Sequence, residues 1–365
     1  MPRKFHESRR LPVAVQLATA WALLWVSGAV MAANPVSSSC ATPDPNTPSI
    51  TTCFFDLTAS PSTTAVPASA VLNGGIFQVP GPNDPLGQGF ITGTGVFNPF
   101  VRIQESGNGN AASNGVETGF NTDGRSGVGQ LATELDNHDK GGSNWNHSIK
   151  LGDINIVTVG GKQYYEFLLD SNEQGNTKNS GISLDEFKVF TAATGDIHSG
   201  YTGQDDTAGF TNFQLNNGAT LKYDMDAGPG GDSSILMDYS NFSGSGNGVD
   251  LQALVPVTNF AGVSPDSFVY LYSKFGWTSN QCTVTGQQVS PCLTPDGTTG
   301  QGTPLGGAGT KVGSLNFEVD AGFEEWSIRK RTPVPATALL LGIGLAGLAA
   351  VRKGKGRKKA PGLSA

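Results

Sequence analysis

Between residues 34 and 330 no apolar pattern recurs at three- or four-residue intervals for the length a helix needs. Short runs of alternating polar and apolar residues recur instead, and most end at a cluster of Gly, Asn, Asp or Pro. The runs fall at 75–79, 95–104, 148–159, 163–169, 182–191, 211–215, 220–225, 233–239, 249–255, 267–272, 311–319 and 324–328. Val101, Arg102, Ile103 and Gln104 alternate, as do Ser148, Ile149, Lys150 and Leu151, so one face of each strand would be buried. Glycine makes up 50 of 365 residues, about twice the usual share, and Gly, Asn, Ser and Thr are all poor helix formers. The expectation is an all-β fold, an antiparallel β-sandwich with the jelly roll among its forms. Phe167, Leu169, Phe187 and Trp326 are its expected core. Residues 33–70, rich in Pro, Ser and Thr, read as a lead-in arm to a β-rich domain over 71–330.

The two ends differ from this body. Arg3, Lys4, Arg9 and Arg10 precede a largely apolar stretch over 11–30, and small residues follow, so a signal peptide over 1–32 is expected, cut after Ala32 or Ala33. At the other end an apolar run over 336–351 would form a helix about 24 Å long, short of the roughly 30 Å of a hydrocarbon core. Arg352, Lys353, Lys355, Arg357, Lys358 and Lys359 follow it and favour a cytoplasmic C-terminus. A plain single-span anchor is the alternative, and both readings put the bulk of the chain outside the cytoplasm.

Pro333, Val334, Pro335 and Ala336, followed by this short helix and basic end over 332–359, resemble the PEP-CTERM sorting signal of Gram-negative bacteria. Val334 stands where the name motif has Glu, as in the family's Val-Pro-x-Pro-Ala variants. The resemblance implies that signal peptidase and then an exosortase process the chain after transient insertion in the inner membrane. Blocks at 95–104, 119–124, 164–170, 183–187 and 322–326 are similar to a recurrent ectodomain of PEP-CTERM proteins. That resemblance implies an extracellular domain associated with exopolysaccharide and biofilms, and carries over no catalytic residue.

The chain has 23 basic and 30 acidic residues. Losing the signal removes four basic and one acidic residue, and losing the end after Val351 removes six basic ones, which leaves 13 against 29, a net of −16. So acidic a body repels nucleic acid and anionic lipid surfaces, so neither is an expected partner of it. The four cysteines, Cys40, Cys53, Cys282 and Cys292, pair most simply as Cys40–Cys53 and Cys282–Cys292 in an oxidising compartment. Zinc is the rival, but neither pair has metal-finger spacing and no His is near.

Two acidic stretches could hold Ca2+. Asp170, Asn172 and Gln174 have the i, i+2, i+4 spacing of a calcium loop, but Gly181 stands at the twelfth position, where an EF-hand needs a bidentate carboxylate. Asp185 and Glu186 could close a longer loop; an Asx-turn hairpin is the plainer reading. Asp224 and Asp226 would share one face of an extended strand, with Asp232 and Asp238 beyond, and such closeness is costly without a cation or an Arg. Solvated loop carboxylates are the plainer reading there. The segment 121–124 is a turn signature first and a ligand candidate second.

Catalytic signals are thin. His138, His147 and His198 lie in Asn-, Asp- and Gly-rich surroundings, and no nucleophile elbow, zinc-protease helix or phosphate loop occurs. The expected function is non-catalytic: an exported structural or adhesive protein of the cell surface or exopolysaccharide matrix. A glycan-binding module is the alternative, with Trp145, Tyr201, Tyr239, Tyr270, Tyr272 and Trp277 as candidate stacking rings. A carbohydrate-active enzyme with paired carboxylates ranks below it.

Overall fold

The computed structural model describes residues 34–35, 39–40, 53–58, 68–80, 99–104, 116–124, 145–173, 180–203, 213–227, 232–239, 249–276, 283–284, 287–288, 317, 319 and 322–329. The signal peptide, the sorting tail, Gln174, Trp277, Cys282 and Cys292 lie outside them. The described elements are strands, with 3-10 turns at Leu151–Asp153 and Val257–Phe260. In chain order the strands are β1 (Asn34–Pro35), β2 (Ser39–Cys40), β3 (Cys53–Asp56), β4 (Ala68–Leu72), β5 (Gly75–Gln78), β6 (Pro99–Ile103), β7 (Glu117–Phe120), β8 (Ile149–Lys150), β9 (Ile156–Val159) and β10 (Lys162–Ser171). They continue with β11 (Gly181–Ala192), β12 (Tyr201–Thr202), β13 (Gln214–Leu215), β14 (Thr220–Asp224), β15 (Ser233–Asp238), β16 (Leu251–Pro256), β17 (Phe268–Phe275), β18 (Thr283–Val284), β19 (Gln287–Gln288) and β20 (Glu324–Ser327). The chain is all-β, as its punctuation predicts.

Two eight-stranded sheets dominate. The first runs β1-β4-β5-β16-β10-β20-β6, with β9 also on β10; the second runs β2-β3-β15-β11-β17-β7, with β14 on β11 and β8 on β17. Alternation along β10 and β11 turns Tyr165, Phe167 and Leu169 from one sheet, and Ile182, Leu184, Phe187 and Val189 from the other, into one shared apolar cluster. Phe187 is its hub, with ring centroids 5.4 Å from Phe77, 6.0 Å from Phe167, 5.9 Å from Tyr223 and 5.1 Å from Trp326. A second cluster lies on the other face of the second sheet. There Phe213 stacks on Tyr272 at 3.7 Å, and Tyr201 packs against Phe120 and Phe213. The Tyr270 hydroxyl fastens this layer by donating to the Thr194 carbonyl at 2.7 Å and accepting from the Ile197 N–H at 3.0 Å. Burial there pushes its pKa up to about 12.

The antiparallel expectation needs one correction: β1 with β4 and β3 with β15 are parallel pairs. Both bring in strands from the segment read as a lead-in arm, where sparse apolar residues concealed any alternation. The run at 148–159 is broken rather than continuous. Leu151 and Ile154 both turn into the core, and the backbone bonds across to the 265–267 turn through Leu151 N–H to Ser267 O (2.9 Å) and Gly152 N–H to Pro265 O (2.8 Å).

Asn73 and Gly74, at φ 43° and 80°, form the two-residue turn between β4 and β5, a geometry that favours this residue pair. Beyond it the Tyr223 hydroxyl crosses from the second sheet to donate to the Leu72 carbonyl at 2.6 Å, passing where a Cβ on Gly75 would stand 2.3 Å from its oxygen. Gly75→Ala is therefore expected to cost about 1–3 kcal/mol in urea unfolding, because a buried ring must shift. An unchanged midpoint would show that Tyr223 is not held there.

Candidate functional site

The polar groups of interest sit on the faces of the two sheets turned away from the shared core, and they are buried there too. On the first sheet, Gln78, Glu166 and Gln252 alternate with core residues and so point outward. Gln252 donates to Glu166 Oε1 at 2.7 Å, Asn155 donates to Oε2 at 2.9 Å, and Arg329 Nε lies 3.2 Å from Oε2. Glu166 is fully buried, and both of its oxygens are engaged.

The second sheet carries a different arrangement. One edge of β11 is shared: β15 pairs with its first part, Gly181 to Leu184, and β14 with its last part, Lys188 to Thr191. Between them Asp185 is an extra residue, since Leu184 faces Phe275 while Glu186 faces Lys274 on β17. This β-bulge lets Leu184 and Phe187 both point inward and turns Glu186 and Lys188 together to the outer face. At the junction Met225, just after β14, bonds its N–H to Phe187 O at 3.1 Å, and Asp232 stands just before β15. That arrangement brings Asp224, Asp226 and Asp232 beside Glu186.

The Lys188 ammonium stands 3.0 Å from Glu186 Oε2 and 3.5 Å from Asp224 Oδ2. One carboxylate oxygen from each of Glu186, Asp224 and Asp226 lies within 4.8 Å of the others. Asp224 Oδ1 accepts from Asp226 N–H at 3.0 Å and Asp226 Oδ1 from Ser233 N–H at 2.9 Å. Asp226 Oδ2 is buried and has no hydrogen-bond partner among the described residues. Burial pushes the Glu186 carboxyl up to about 7 against the pull of Lys188, with Asp224 and Asp232 adding to the rise. Burial likewise drives Asp226 well above the usual carboxylate range, reinforced by Glu186, Asp232 and Asp224. Burial works to lower Lys188, but Glu186 and Asp224 outweigh it and hold the ammonium above its ordinary value.

The structure divides the calcium set expected at 170–186 between the sheets. Asp170 ends β10 beside Asp250, and Asn172 follows it, whereas Asp185 and Glu186 lie on β11. Asp185 accepts from the hydroxyls of Ser183 (2.8 Å) and Ser234 (2.7 Å), a strand-to-strand latch. Only Glu186 of that set joins the second acidic stretch, through a bulge and a strand register that no local spacing announces. The pairing of Asp224 with Asp226 was the visible signal.

The other candidates have structural places. Asn121 continues the β7 ladder with its side chain, donating to Val269 O at 2.9 Å and accepting from Leu271 N–H at 2.7 Å. His198 Nδ1 lies 2.7 Å from the Asp196 carbonyl, the His147 N–H bonds Phe100 O, and His138 lies outside the described residues. Tyr239, Tyr270 and Tyr272 are buried, Tyr201 is packed among rings, and the Arg102 guanidinium lies 3.8 Å from the centroid of the Trp145 ring. Among the described residues these rings form no open stacking platform.

No family model, curated protein or solved structure matches this chain.

Asp250 allows a pH test apart from the cluster. Its Oδ2 accepts from Ser171 N–H (2.7 Å) and Ser171 Oγ (2.9 Å). Burial drives its carboxyl well above 3.8, Asp170 adds to this, and the Ser171 bonds oppose it. A raised carboxyl contributes stability that is complete below its unfolded value and is lost as pH climbs through the folded one. Wild-type stability should thus fall more steeply as pH rises above about 4 than that of Asp250→Asn, whose amide oxygen still accepts from Ser171. Parallel stability curves from thermal melts would refute this.

Proposed function

We propose that this chain is exported across an inner membrane and serves as a non-catalytic structural or adhesive protein of the cell surface or exopolysaccharide matrix. The observation that carries this reading is a register: β2 pairs with β3 so that Cys40 stands directly across from Cys53. In an oxidising compartment two cysteines so placed close a disulfide, and Cys282 with Cys292 form the second. The bond would tie the segment ahead of β3 to an edge of the second sheet, where the flanking strands are two and four residues long. A staple is valuable there because so short a pairing contributes little by itself.

The rest of the reading agrees with export. A basic n-region with its apolar stretch opens the chain, and a proline motif, short apolar run and basic end of the PEP-CTERM kind close it. The two sheets with their shared apolar cluster are read as a β-sandwich ectodomain, and its acidity suits a soluble extracellular body. Signal peptidase and exosortase are then the processing partners, and exopolysaccharide the surroundings.

Intact mass spectrometry of the protein from its native host, with and without reduction, tests the reading. The expected product lacks residues 1–32 and the tail beyond a cut near Pro333 to Ala336, and gains mass on reduction for two disulfides. A cytosolic protein of full mass with free thiols would overturn it.

A further inference from the structure

Two buried carboxylates on the outer faces of the sheets differ in one respect. Glu166 has both oxygens engaged by Gln252, Asn155 and Arg329. Asp226 is only 8% exposed, uses Oδ1 to cap Ser233 N–H, and holds Oδ2 without a hydrogen-bond partner among the described residues, in a cluster with Glu186 and Asp224. An unmatched buried carboxylate oxygen is costly, and capping the backbone does not account for it.

We infer that Glu186, Asp224 and Asp226 form a binding site for one Ca2+ ion at the junction where the edge of β11 passes from β15 to β14. Three carboxylate oxygens within 4.8 Å of one another fit around one Ca2+, whose ligands stand about 2.3–2.6 Å away. Hard oxygen donors with no sulfur or imidazole among them select Ca2+ over zinc or copper. Charge agrees as well. Asp224 and Asp232 act on both Glu186 and Asp226, and Lys188 is the cation acting on them, so four carboxylates meet one ammonium group. The excess negative charge is of the sign that a divalent cation offsets. The Asp224 side chain is 14% exposed, which gives solvent and an ion access from its side. Lys188 bonds two of the ligands and would hold them in place beside the ion rather than fill its position.

The site stands apart from the exported reading, since it concerns cation binding by the folded body wherever that body resides. The test uses the full-length protein, melted with Ca2+ and with chelator. The expected result is a rise in Tm of about 5–10 °C at a hundredfold excess over Kd, reversed by chelation. Asp226→Asn should weaken the affinity by about tenfold or more, and in chelator it should melt at or above wild type, because a buried charge is gone. If that variant does not fold, the wild type alone decides: Tb3+ emission excited through the adjacent Tyr223 should appear and be displaced by Ca2+. A folded wild type indifferent to Ca2+, absent Tb3+ emission, or a Ca2+ response equal in Asp226→Asn would each overturn the proposal.

Discussion

Phe187 joins the two sheets. Its ring lies against Phe77, Phe167 and Trp326 of the first sheet and Tyr223 of its own, so the shared cluster is organised around a single side chain on β11. Its inward position depends on the bulge at Asp185. Without that extra residue, strict alternation from Leu184 would point Phe187 outward and Glu186 inward. Apolar burial therefore sets the phase of the strand, and the outward pair of Glu186 and Lys188 follows from it. Packing and the polar cluster are two consequences of one backbone irregularity.

Period-two patterns were legible wherever one face is buried. Phe167, Leu169, Phe187 and Trp326 are readable as core from the sequence, and all four are fully buried. β10 and β11 extend at least as far as their apolar runs, and β17 starts one residue after its run and continues three residues past it. What could not be read is non-local. The parallel pairing of β3 with β15 joins segments about 180 residues apart and leaves no mark in either. Short strands such as β7 have too few residues to show a period. The run at 148–159 misled because Leu151 and Ile154, three apart, both seek the core, which forces a 3-10 turn into an otherwise alternating stretch.

The same distinction governs the polar sites. Asp224 and Asp226 lie two apart on the chain, so their closeness was readable, but Glu186 reaches them only through the register of β14 on β11. The calcium spacing at Asp170, by contrast, was a local pattern, and the carboxylates expected to complete it, Asp185 and Glu186, lie on β11 in the other sheet from Asp170. Proximity in sequence proposes a site; proximity across strands decides its membership.

The junction on β11 also shows why a fold would keep carboxylates in a buried place. Where one edge of β11 passes from β15 to β14, the N–H groups at the ends of the two strands need acceptors. Asp224 and Asp226 supply two of them, accepting from Asp226 N–H and Ser233 N–H. Asn could accept the same bonds without charge, but its amide would bring donors that also need partners. Backbone capping thus accounts for one oxygen of each aspartate. It does not account for the place of Glu186 beside them, nor for the second Asp226 oxygen. Their convergence is electrostatically adverse without a cation, and Lys188 offsets only part of it. The fold needs the turn, and the negative charge gathered beyond that need is what the proposed Ca2+ site rests on.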